Sequence, residues 1–108
     1  VKSEIEYINE LLIKLLNLLK MQKDKELKYI INQIEINLEK INTFLNGSMK
    51  DKNDLFMDLG NFYRLINKPR VGLSDYFIWH EEYDQRIKMN GTLDAIKIEL
   101  LKNLQKLI

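Results

Sequence analysis

The chain has no cysteine, a single proline and only four glycines among 108 residues. The missing thiol removes disulfides, thiolate catalysis and cysteine-ligated zinc together. Scarce proline and glycine leave little to interrupt helices, and no low-complexity linker divides the chain. Charge of one sign is also lacking: 17 Lys+Arg face 16 Asp+Glu, a formal net charge of +1. The overall field therefore recruits neither nucleic acid nor an anionic membrane. The most apolar run, Leu11 to Leu19, is broken by Lys14 and Asn17 and is too short and too polar to span a bilayer. Phosphate-loop, dinucleotide and nucleophile-elbow patterns are absent, and the serines are only Ser3, Ser48 and Ser74. A non-enzyme is the expectation, with no catalytic residue and no cofactor.

Against these absences, 45% of the residues are hydrophobic, and they recur with helical spacing. A chain of this size buries roughly two-thirds of the surface its unfolded form exposes, so residues 1–108 are read as one domain. Ser3 and Glu6 have the spacing of a capping box and open a first helix running to about Met21. Its stripe is Ile5, Ile8, Leu12, Leu15 and Leu19, widened by Leu11, Ile13, Leu16 and Leu18. A second helix is expected from near Asp24 to the Asn46-Gly47 pair, with Leu27, Ile31, Ile34, Leu38, Ile41 and Leu45 in a heptad-like line. Tyr29 and Ile36 fall on its opposite side and form a second apolar line, which something must cover.

After a polar loop, Asp54 is placed to cap a third helix with Leu55, Phe56, Leu59, Phe62, Tyr63 and Ile66, and Pro69 ends that stretch. Between Arg70 and Gly91 a short helix capped by Ser74 competes with an extended run, since Val71 to Trp79 is rich in β-branched and aromatic residues; the helix is preferred. Asn90-Gly91 reads as a turn, and Thr92 as the cap of a last helix with Leu93, Ile96, Leu100, Leu104 and Leu107 inward. The fold class is all-α: a compact bundle of about four main helices, with a short extra helical or extended segment before the last.

His80-Glu81-Glu82-Tyr83-Asp84 is the one cluster of metal-type ligands. Zinc needs three or four convergent ligands, and the only histidine is already used, so no metal is expected. Most basic residues elsewhere have an acidic neighbour, as in Lys23-Asp24-Lys25-Glu26, which describes a solvated face better than a phosphate-tracking groove. The stretch from Gly72 to Asp84 differs. It holds Asp75, Glu81, Glu82 and Asp84 without Lys or Arg, together with Tyr76, Phe77, Trp79 and Tyr83. Aromatic side chains supply rigid contact area, and carboxylates around them steer a basic partner. Asp75, Tyr76, Trp79, Glu81, Glu82, Tyr83 and Asp84 are thus the candidate partner-binding residues. Tyr29 and Ile36 are a candidate second interface, as for a homodimer. The competing expectation is that Phe77 and Trp79 close one end of the core while the acids solvate the connection.

Gly72-Leu73-Ser74-Asp75-Tyr76-Phe77-Ile78, followed by Leu93-Asp94-Ala95-Ile96-Lys97 and Leu100, resembles small bacterial helical proteins encoded beside polymorphic or secreted toxins and regarded as immunity proteins. The resemblance implies stoichiometric binding to one cognate bacterial toxin, and no catalytic residue. Fourteen Lys against three Arg, with 14 Ile and 11 Asn, is the usage that AT-rich codons give, in keeping with a low-GC bacterium or its phage. A phage-encoded inhibitor of a host nuclease and a self-associating bundle are the alternatives. A cytoplasmic location is expected. Position 1 is Val, which points to a removed initiator Met or a longer N-terminus.

Overall fold

Four stretches of three-and-four spacing become four α-helices in the computed structural model, which describes residues 2–47 and 52–107. They are α1 (Lys2–Met21), α2 (Lys28–Leu45), α3 (Lys52–Ile66) and α4 (Tyr83–Leu107), with no strand among the described residues. In α1, Ile5, Ile8, Leu12, Leu15 and Leu19 are all buried, and Leu11 widens the stripe so that the helix packs on both α2 and α4. Ser3 lies inside the first turn of α1, so Ser3 and Glu6 do not stand in the capping-box position expected of them.

The chain leaves α1 through Lys23, whose φ of 52° makes the reversal. Asp24 then caps a 3-10 turn, Lys25–Leu27, by accepting the Glu26 amide on its side chain at 3.0 Å. The buried face of α2 is Ile30, Ile34, Asn37 and Ile41, below Leu27. Ile31, Leu38 and Leu45 pack only partly against the core, so the heptad line straddles the buried face. Gly47, at φ 75°, ends α2 as the left-handed cap expected there. Helix α3 buries Leu55, Leu59, Phe62 and Ile66, and Asp54 sits in its first turn, not at its cap.

Each helix packs on the next, and α4 closes the ring on α1. With short connections after α1 and α2, this is an up-down-up-down bundle, 47 × 23 × 21 Å overall. Helix α4 has 25 residues against 15 in α3, about 37 Å against about 22 Å at 1.5 Å per residue. Its buried residues begin only at Leu93. The first turns of α4 therefore stand beyond the core, at the end where α1 stops and α2 begins.

Residues 67–82 form a strap over that end without a helix, and this corrects the short helix expected from Ser74 through Trp79. Burial alternates along it: Tyr76 and Ile78 face inward, Phe77 and Trp79 outward, the two-residue period of an extended chain. Helix would have turned Ile78 away from the core, where it is now 1% exposed beside the buried Leu73. The strap starts tightly. The Gly72 and Leu73 amides donate to the Lys68 and Ile66 carbonyls at 3.0 and 2.9 Å, and a Cβ on Gly72 would lie 2.2 Å from the Leu65 carbonyl oxygen. Arg70 adopts φ 69° inside a bond from the Val71 amide to the Pro69 carbonyl at 2.8 Å, a strained γ-turn.

The expected turn at Asn90-Gly91 is likewise absent, because α4 runs straight through it. Asn90 Oδ1 accepts the Ile78 amide at 2.8 Å, while its Nδ2 donates to the carbonyls of Ile78 and of Arg86, each at 2.8 Å. Thr92 caps nothing; its hydroxyl donates to the Lys88 carbonyl at 3.0 Å within the helix. A Cβ on Gly91 would meet nothing within 4 Å. Gly91→Ala is therefore expected to raise stability by about 0.5–1 kcal/mol, measured by urea unfolding. A turn with positive φ at Gly91 would make the same substitution destabilising.

Candidate protein-binding surface

The seven candidate residues from Asp75 to Asp84 all lie on the strap and the start of α4, but the structure divides them between two neighbouring sites. The first lies against the α1–α2 turn. Asp75 is exposed and accepts the Arg70 amide on Oδ1 at 3.0 Å, which holds the γ-turn closed. Tyr76 is half-buried, packs against the core and donates its hydroxyl to Asp24 Oδ2 at 3.1 Å. As a candidate partner-binding residue it is thus anchored to its own chain and keeps only part of its ring at the surface. Burial first, then the Asp24 hydrogen bond and the charges of Asp24 and Glu26, push its phenol up to about 12. Lys97 Nζ donates to the Leu73 carbonyl at 2.7 Å and pins the strap from the α4 side.

The second site is the outer tip. Trp79 is 70% exposed and Tyr83 64% exposed, so Trp79 does not close the core, and neither does Phe77 at 58%. Leu73, Ile78 and part of Tyr76 do that work. The guanidinium of Arg86 lies 4.4 Å from the Trp79 ring centroid and 5.5 Å from that of Tyr83, within cation–π reach of both. One cation thus ties the two rings into a single stack. Ile87, also exposed, stands one helical turn from Tyr83.

Glu81, Glu82 and Asp84 are exposed at the start of α4. Carboxylates there are favourable to the helix dipole by about 0.3–1 kcal/mol each, which gives them a local role. Yet the ion pairs of Lys20 with Glu35 and of Lys40 with Asp58, both at 3.2 Å, involve none of the three. His80 Nδ1 accepts the Glu82 amide at 3.0 Å, and among the described residues no three His, Asp or Glu side chains converge as metal ligands would.

Reasoning from sequence misses Arg86 and Asp24, and names Phe77 in the aromatic segment without counting it among the partner-binding residues. Arg86 fell just outside the window of residues counted, although a spacing of three from Tyr83 places it on the same helix face. Phe77 is given away by the alternating burial, which only an extended reading of the strap exposes. Asp24 carries no local signal at all, since its partner Tyr76 is 52 residues away.

The second candidate interface is also located. Tyr29 and Ile36 are 53% and 36% exposed on α2 and line a groove of about 290 Å³ shared with Phe62 and Leu65 of α3. Asn37, below them, donates to the Gln33 carbonyl at 2.8 Å, and its Oδ1 is buried with no partner among the described residues. Among the described residues no helix is long and apolar enough to cross a membrane. No protein-family model, curated protein or solved structure matches the chain.

The Tyr76–Asp24 bond has a pH signature. Below about pH 9 the phenol is neutral in both folded and unfolded chains, so the bond contributes in full, about 1 kcal/mol. Between pH 10 and 12 the unfolded chain loses the proton first, because the folded phenol is held up to about 12. The stability difference between wild type and Tyr76→Phe is expected to stay constant to about pH 9, to shrink as pH rises above 10, and to reverse in sign toward pH 12, where holding the phenol protonated up to about 12 costs the folded chain more than the bond contributes. Urea midpoints across that range give the test; a pH-independent difference would mean that the hydroxyl has no buried, charged neighbour.

Proposed function

We propose that the chain is a non-catalytic protein-binding module of the immunity or antitoxin type, which neutralises a bacterial toxin by covering a basic surface with the strap end of the bundle. One observation carries this reading. Trp79 and Tyr83, 70% and 64% exposed, are stacked through Arg86 beside Glu81, Glu82 and Asp84, which form no ion pair among the described residues. Large rings exposed to water and already fixed in place lose little entropy when covered, and such residues dominate interface energetics. Unpaired carboxylates around them accelerate encounter with a positively charged surface. The resemblance of Gly72 to Ile78, of Leu93 to Lys97 and of Leu100 to immunity proteins supports the same reading. A phage-encoded inhibitor of a host nuclease would use the same chemistry, and the neighbouring gene separates the two.

The test uses the product of the adjacent gene, or a co-purified partner. Trp79→Ala should weaken binding by at least about 2 kcal/mol, roughly thirtyfold, mainly through faster dissociation. Reversing Glu81, Glu82 and Asp84 to lysine should slow association and invert its salt dependence. These side chains are exposed, so far-UV circular dichroism should be unchanged. Unaltered affinity in both variants would exclude this surface.

A second reading is self-association through α2 and α3, favoured by the exposure of Tyr29 and Ile36 along an open groove. It predicts a dimer in sedimentation equilibrium at micromolar concentration that Ile36→Glu dissociates. A monomer for the wild type would remove it.

A further inference from the structure

The strap and the α1–α2 turn line a half-open pocket of about 680 Å³ at the same end of the bundle, within the size range of ligand sites. Its charge is uneven. Asp24, Glu26 and Asp75 present carboxylates, Arg70 is the single cation, and Tyr76 and Phe77 supply aromatic surface. In the neighbouring concavities acids and lysines are closer to balance: Lys40 with Asp58 between α2 and α3, and Lys25 and Lys28 with Asp24, Glu26 and Glu35 along α2.

Two of the pocket carboxylates are fixed before any ligand arrives. Asp24 accepts from the Glu26 amide and the Tyr76 hydroxyl, and Asp75 accepts from the Arg70 amide through Oδ1. Oδ2 of Asp75 and the carboxylate of Glu26 have no partner among the described residues. Phe77 stands 58% exposed at the rim. Among the described residues no three acids converge as metal ligands would; carboxylates beside the rings of Tyr76 and Phe77 match the chemistry of an organic cation with a flat face.

We propose that this pocket receives the guanidinium of an arginine side chain on the protein partner. A guanidinium stacks on aromatic faces and presents a fork of donors to carboxylates, whereas an ammonium offers a strongly hydrated point charge. Arg70 lines the pocket as a like charge and opposes the incoming cation. The inference rests on the reading of this end as a protein-binding surface, and adds the point at which the partner's cation enters.

The test needs no knowledge of the partner. The intact chain is titrated with N-acetylarginine methylamide and, separately, with N-acetylcitrulline methylamide, which has the same shape without the charge, while backbone amide NMR shifts are followed. The arginine compound should give saturable shifts at Leu27, Gly72 and Phe77, and the citrulline compound none. Glu26→Gln combined with Asp75→Asn should weaken binding at least tenfold; asparagine at position 75 keeps the acceptor for the Arg70 amide, and Glu26 is exposed, so the fold is retained. Arg70→Gln should tighten binding several-fold. Equal response to citrulline, indifference to the double variant, or shifts confined to Glu81, Glu82 and Asp84 would overturn the pocket. Capped arginine does not report on Trp79, so this assay can fail while the Trp79 variant still loses the partner, and can succeed while that variant binds normally; the two readings fall separately.

Discussion

The carboxamide of Asn90, closed on both backbone polar groups of Ile78, is the contact on which the upper end of this bundle depends. Ile78 is 1% exposed and lies in a strap that has neither helix nor sheet to satisfy its main chain. Leaving a buried amide or carbonyl unpaired costs about 1–3 kcal/mol, so irregular chain enters a core only where side chains take the place of secondary structure. Asn90 does this while also binding the Arg86 carbonyl of its own helix. Asn90, with Lys97 on the Leu73 carbonyl, thereby ties the strap to an α4 that continues through Gly91, with Phe77 and Trp79 turned to solvent on either side of Ile78.

Function, on the account proposed, follows from that alternation. Because Tyr76 and Ile78 are held inward, the residues between and after them cannot retreat into the core. Arg86 then gathers Trp79 and Tyr83 from the solvent side, and Asp24 secures Tyr76 from below. The surface is organised before a partner arrives, which lowers the entropic cost of association. The near-neutral total charge of +1 is compatible with this, because the acids at the start of α4 are unbalanced only locally.

How much of this could be read from residues alone varies with the range of the interactions. The stripes Ile5 to Leu19 and Leu55 to Ile66 are local in sequence and sit inside their helices as their spacing requires; Gly47 and Pro69 act as helix boundaries for equally local reasons. The α2 line straddles the buried face, since Ile34 and Ile41 are buried with Ile30 and Asn37 while Ile31 and Leu38 pack only partly against the core. The strap was the least legible part. Asn-Gly is a turn signal only when both residues are free to leave the helix, and Asn90 is occupied by a residue twelve positions earlier. The candidate residues stand out in the sequence because aromatic and acidic residues are dense there; their division between a tip and a pocket does not, because Asp24 comes from the far side of the sequence. The proposed kinship with immunity proteins rests on short motifs in this same stretch and on the surface they build.

Amide hydrogen exchange at single-residue resolution tests the central claim most directly. If Asn90 clamps the strap, the Ile78 amide is protected to the level of core α4 amides such as Leu93, although it lies outside any helix. An Ile78 amide exchanging at the rate of an unstructured peptide would show that the strap is not held and that Phe77, Trp79 and Tyr83 form no prepared surface.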